Sequence, residues 1–145
     1  MVDSNLFAFL IGFIMITGNL PAVINYEIPV QDTTEDIAIA DSYSEGAVSI
    51  DRDLTNLQGA MSSMSVSERR IKAQDIKQYI TKQWIEASRA SGLTQEQYTR
   101  NELYINYLLK ASSVASYFES GSSPDFSEYK ILYSEITGGA NSQLS

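Results

Sequence analysis

Hydrophobic and polar positions divide the chain into three stretches with different patterns. Residues 6–24 are uncharged and almost continuously apolar. As a helix, these 19 residues would extend about 28 Å, close to the roughly 30 Å hydrocarbon core of a bilayer. The side chains that would meet lipid are Leu6, Phe7, Phe9, Leu10, Ile11, Phe13, Ile14 and Ile16. Gly18-Asn19-Leu20-Pro21 interrupts the run, because Gly with a following Pro is a helix stop. The span is then short unless the helix continues past a kink, which membrane helices tolerate. A cleaved signal peptide would explain a short apolar run, but MVDSN has no basic residue and Leu20-Pro21-Ala22 is a poor cleavage site. A greasy plug buried by partners is the third reading. The missing signal features, and the difficulty of covering an all-round apolar helix within one small domain, favour the first: a single-pass N-terminal anchor over residues 1–24. The body would then lie on the extracytoplasmic or lumenal side.

Residues 25–51 lose this continuity. Pro29, small polar residues and acids dominate, and the stretch is expected to be an acidic linker or extended arm. Ile37-Ala38-Ile39-Ala40 and Ala47-Val48-Ser49-Ile50 are short enough to be strands. Two strands alone are marginal in water. Ile37, Ile39, Val48 and Ile50 are therefore candidate contacts, adding to a partner's sheet edge. The stretch from Asp41 resembles a calcium loop in its Gly46, but Tyr43 and Arg52 stand where acidic ligands are required, which defeats the site.

From residue 52 the period becomes helical. Leu54, Leu57, Met61 and Met64 recur at spacings of three and four, in a weaker helix diluted by Gly59 and serines. Ser65-Val66-Ser67-Glu68 is a capping box, and it opens a helix expected to run to Gly92. Ala73, Ile76, Ile80, Trp84 and Ala87 form its apolar face. Thr94-Gln95-Glu96-Gln97 is a second capping box. The helix it opens should run to about Glu119, with Tyr104, Leu108, Ala111, Ala115 and Phe118 inward. The short link predicts an antiparallel hairpin. Ser123-Pro124-Asp125 predicts a third start, with Phe126, Tyr129, Leu132 or Tyr133, and Ile136 facing in. The expected fold is all-α. It comprises an N-terminal hydrophobic helix, an acidic extended arm over 25–51, a bundle of three main helices and one weaker helix over 52–137, and a flexible tail over 138–145.

Charge sharpens this division. Residues 1–51 carry eight acids and no Lys or Arg, while the remainder balances ten acids with ten bases. The net charge of −8 belongs wholly to the first third. No basic face is predicted, and nucleic acid is not an expected partner.

The chain has no cysteine and no histidine. That excludes thiolate nucleophiles, imidazole bases and the usual zinc ligands. No cofactor or metal is expected. Glu96 and Glu102, and Glu128 and Glu135, are the carboxylates nearest to a pair, and their spacing fits solvated faces. Nine tyrosines are the more telling feature, because a tyrosine buries a ring and keeps its hydroxyl wet at an interface. Tyr98, Tyr104, Tyr107 and Tyr117 are the candidate partner-binding residues. The expected function is a non-catalytic, membrane-anchored structural or adaptor subunit of a multi-protein assembly, such as an envelope complex or a membrane-containing virion. A secreted or periplasmic binding module released by cleavage is the alternative, and a carboxylate-based enzyme a more distant one.

Overall fold

The computed structural model describes the backbone of residues 29–145 and the side chains from residue 42 onward. The expected anchor, with Leu6, Phe7, Phe9, Leu10, Ile11, Phe13, Ile14 and Ile16, lies outside the described residues, as do the side chains of Ile37 and Ile39. Among the described residues the fold is all-helical. It has α1 (Pro29–Ala60), α2 (Val66–Ser88), α3 (Gln95–Glu119) and α4 (Ser127–Thr137), with a 3-10 turn Met61–Ser63 after α1. Helix α3 packs against the other three.

Helix α1 is the largest departure from the sequence pattern. From Pro29 onward there is no extended arm: α1 has 32 residues, about 48 Å of helix. Both expected strands lie within it, and the weak helix expected from residue 52 is its C-terminal half. Proline suits the first helical position, where its missing N–H is not needed. The cause of the helix lies further on. Tyr43, Ala47, Ile50, Leu54 and Leu57 are buried at alternating spacings of four and three, and the partly buried Met61 and Met64 continue the stripe. Burying that stripe offsets the poor helix propensity of the Ser, Thr, Asp and Gly residues around it. The calcium-like stretch from Asp41 is helical too, so it has no loop to wrap a cation.

Both predicted capping boxes form. The Ser65 hydroxyl accepts from Glu68 N (3.1 Å), while Glu68 Oε1 accepts from Ser65 N (3.2 Å). Thr94 and Gln97 exchange the same pair of bonds at 3.1 and 2.9 Å. Helix α2 ends at Ser88, short of Gly92. Its buried face is Ala73, Ile76, Ile80 and Ala87, but Trp84 is exposed. On α3 all five expected inward residues are buried.

Helices α2 and α3 run antiparallel, tied at both ends. Asn101 Nδ2 donates to the Ala87 carbonyl (3.0 Å) at one end. At the other, Lys77 and Gln74 hold the Glu119 carboxylate at 2.8 and 3.2 Å. The Lys77 bond, with help from Gln74, keeps that carboxyl below its usual range. The Arg69 guanidinium caps the Glu119 carbonyl, and Gly121 takes the left-handed turn (φ 86°) that ends α3.

Helix α4 begins at Ser127 rather than at Pro124. Asp125 Oδ1 accepts from both the Ser127 N–H (3.0 Å) and its hydroxyl (2.7 Å), satisfying the first turn from outside. Phe126, Tyr129, Tyr133 and Ile136 face the core as expected. Residues 138–145 are not a loose tail. Leu144 is only 1% exposed and belongs to the main core cluster.

Candidate functional site

Five tyrosines from three helices form a continuous ladder through the bundle. The Tyr43 ring on α1 stacks on Tyr104 of α3, with centroids 4.7 Å apart. Tyr104 lies 6.3 Å from Tyr107, one helical turn on. Tyr107 meets Tyr129 and Tyr133 of α4 at 5.3 and 6.2 Å, and those two stack at 6.2 Å. All five are buried. Offset aromatic pairs of this kind add about 0.5–1.5 kcal/mol each beyond area burial. They are also long enough to carry hydroxyls across the core.

Four of the five hydroxyls, those of Tyr43, Tyr104, Tyr107 and Tyr129, find a partner inside the bundle. Tyr43 Oη accepts from Asn101 Nδ2 (2.6 Å), and Tyr104 donates to Gln83 Oε1 (2.8 Å). Tyr107 Oη lies 3.1 Å from the Ala47 carbonyl and 2.9 Å from Tyr129 Oη. Tyr129 donates to Asp51 Oδ1 at 2.8 Å. A phenol has one proton and two lone pairs. With Tyr129's proton on Asp51, the single Tyr107 proton goes either to the Ala47 carbonyl or to Tyr129 Oη.

Asp51 is the node of this network, and it is 3% exposed. Besides Tyr129 it accepts from the Ser142 hydroxyl at 2.6 Å and the Gln143 N–H at 3.4 Å. One carboxylate thus joins α1, α4 and the C-terminal residues, and through Tyr107 it reaches α3. A carboxylate so far from water persists only with its lone pairs filled. Sequence reasoning missed this residue because it assigned residue 51 to an arm. The available signal was its place beside Ile50, inside the stripe that runs from Tyr43 to Leu57.

The sequence-predicted contacts divide. Tyr104 and Tyr107 are core residues, exposed by 2% and 0%, and so are not available to a partner. Their wet-hydroxyl role fails because Gln83, Tyr129 and the Ala47 carbonyl stand in for water. Ile50 is likewise core, whereas Val48 is exposed. Tyr98 and Tyr117 stay about half exposed, with Tyr98 bonded along its own helix to Glu102. Glu96, Glu102, Glu128 and Glu135 lie on the surface, and Glu128 pairs with Lys110 at 2.6 Å.

The outer surface of α2 and α3 carries the large apolar side chains the core does not use: Ile71, Trp84, Ile85, Tyr98, Leu109 and Tyr117. Ile71 and Ile85 lie four turns apart on one face, and Tyr98 and Leu109 three turns apart on another. A groove of about 430 Å³ separates the end of α1 from α2, floored by Leu57, Met64 and Ile76 and edged by Asp53, Lys72 and Asp75. No cluster of acids able to hold a metal occurs among the described residues. No helix among them is long and apolar enough to cross a membrane. No protein family, characterised protein or solved structure matches the chain.

Burial pushes the phenols of Tyr104, Tyr107 and Tyr129 well above the ordinary value of 10.0. The nearby Asp51 carboxylate adds to the rise at Tyr107 and Tyr129. The folded state holds these protons, while the unfolded chain releases them above pH 10. Stability is therefore intact below pH 10 and falls above it, by about 1.4 kcal/mol per pH unit for each tyrosine so protected. In a titration followed by phenolate absorbance and circular dichroism, Tyr104, Tyr107 and Tyr129 should ionise only as helicity collapses. Full ionisation with helicity intact would refute the protected ladder.

Proposed function

We propose that the chain is a non-catalytic structural or adaptor subunit of a multi-protein assembly, held to a membrane by residues 6–24 and docking partners on the outer surface of α2 and α3. The observation that carries the reading is how this bundle distributes its chemistry. The perturbed hydroxyls and the buried carboxylate bond to one another inside the core, away from the groove beside α1. The outer surface of α2 and α3 leaves large apolar groups for other molecules: Trp84, Ile85, Tyr98, Leu109 and Tyr117. Exposed aromatics backed by a rigid helix pair are the usual anchors of a protein interface. Tyr98 and Tyr117 remain in this role, and Trp84 joins them.

Helix α1 supports the tethered part of the reading. It starts at Pro29, five residues after the apolar stretch ends at Ile24. A helix connected so closely to an anchor would transmit the anchor's position to the bundle, where an extended arm would leave it free to roam. The body would lie on the extracytoplasmic or lumenal side.

Alkaline carbonate extraction of membranes carrying the untagged chain, read by intact mass, tests the tether. Full-length protein should stay in the pellet. Shortened protein in the supernatant would replace the tether with a cleaved signal and a released binding module. Full-length protein in the supernatant would replace it with a plug covered by partners.

A further inference from the structure

The residues after α4 are seated on α1 by three different kinds of contact. Asp51 accepts from the Ser142 hydroxyl (2.6 Å) and the Gln143 N–H (3.4 Å). Leu144 enters the core cluster and is 1% exposed. The Gln58 side-chain amide then clasps the backbone of Ser145 on both sides. Its Nε2 donates to the Ser145 carbonyl at 2.7 Å, and its Oε1 accepts the Ser145 N–H at 3.2 Å.

Residues 140–145 have no helical or strand bonding of their own. They are recognised as a peptide is: a hydroxyl, then a large aliphatic side chain two residues on, then a free backbone N–H and C=O. The junction is permissive as well. Gly138 and Gly139 have φ of 75° and 112°, with open space around both. Two successive glycines let the strap leave in another direction, at the loss of the Ala140 N–H bond to Thr137 Oγ1 (3.2 Å) and the Gly139 N–H bond to the Ser134 carbonyl (2.8 Å).

We propose that this seat on α1 is an interaction surface for the same strap of a second copy, so that residues 141–145 of one chain fill the seat of its neighbour. The contacts are identical within a chain and between chains, and only the connection through Gly138–Gly139 differs. The balance is then set by effective concentration, on the order of mM for a short flexible connection. Dilute chains keep their own strap. Crowded chains exchange it, the low-cost route to assembly open to a separable element. Exchange runs head to tail, giving rings where the rotation closes and linear arrays where it does not. The proposal rests on the assembly reading only for where such crowding would arise.

The chain has no cysteine, so an introduced pair reports alone. Full-length chains carrying Gln58→Cys are mixed in detergent solution with full-length chains carrying Ser145→Cys. The mixture is mildly oxidised at concentrations from a few μM to about 1 mM. Mixed covalent dimers should rise at least tenfold across that range. Adding Leu144→Ser to the Ser145→Cys chain should return them to the dilute level. A single chain carrying both substitutions should close on itself when dilute. Crowded mixtures without dimers, dimers indifferent to Leu144→Ser, or a doubly substituted chain that does not close would each overturn the proposal. The assay needs no bilayer, so failure of the membrane tether would leave its outcome unaffected.

Discussion

Replacing Asp51 with alanine is expected to destabilise the bundle by about 3 kcal/mol, as two to three donors lose their acceptor at about 1–3 kcal/mol each. Tyr129 would be hurt most, because its hydroxyl lies deep in the core and no water replaces the carboxylate. Ser142 and Gln143 lie nearer the surface and can be rewetted, which keeps the total below the simple sum. The strap would be loosened as well, losing one of its two polar anchors while keeping Leu144 in the core and the Gln58 clasp. The check is chemical denaturation: the midpoint should fall with little change in slope. Tyr129→Phe should show a smaller loss, about 1–2 kcal/mol, because Asp51 keeps its bonds to Ser142 and Gln143. An Asp51→Ala variant as stable as the parent would mean that the carboxylate is not the node.

The two glycines of α1 described with their surroundings should respond in opposite directions to the same substitution. Gly46 faces Tyr104. A methyl group there would overlap the Tyr104 hydroxyl oxygen and lie 3.1 Å from Cζ and 3.2 Å from Gln83 Oε1. The ring cannot swing away, because it is stacked on Tyr43 and buried. Overpacking of this kind costs about 1–3 kcal/mol, more than the roughly 1 kcal/mol that alanine gains over glycine within a helix. Gly46→Ala is therefore expected to be a net loss.

Gly59 has open space around it, so Gly59→Ala keeps its propensity gain and should stabilise the fold by up to about 1 kcal/mol. Tyr104→Phe removes the obstructing oxygen. Combined with Gly46→Ala it should recover part of the loss, which a double-mutant cycle would read as a coupling of about 1 kcal/mol. Independent effects in that cycle would refute the close approach of α1 to Tyr104.

Much of the bundle was legible because its signals are local. The two capping boxes lie within four residues each and mark the starts of α2 and α3. The α3 stripe from Tyr104 to Phe118 repeats often enough to identify its buried side unaided. The failures share one origin. Trp84 keeps the helical spacing of Ile80 and Ala87, yet it lies at the edge of that stripe and stays exposed. Tyr104 and Tyr98 differ by six positions on one helix and are the same residue type. One is core and the other surface because only Tyr104 meets Tyr43 and Gln83. Within α1, Ser, Asp, Gly and β-branched residues favour turns and strands locally, and they hid a stripe whose spacing of four and three was already present.

The sequence by itself determined the helical class of residues 52–137, the starts of α2 and α3, their antiparallel pairing, and the concentration of negative charge in the first third. These depend on spacing and on groups a few residues apart. Only the tertiary structure decided that α1 reaches back to Pro29, that Asp51 is a buried node, that Tyr104 and Tyr107 are core, and that the residues around Leu144 are seated. Each depends on groups brought together from distant parts of the chain. Asp51 meets Tyr129 and Ser142, 78 and 91 positions away. Whether a polar side chain is buried turns on partners of that kind, and its own neighbours in sequence do not reveal them.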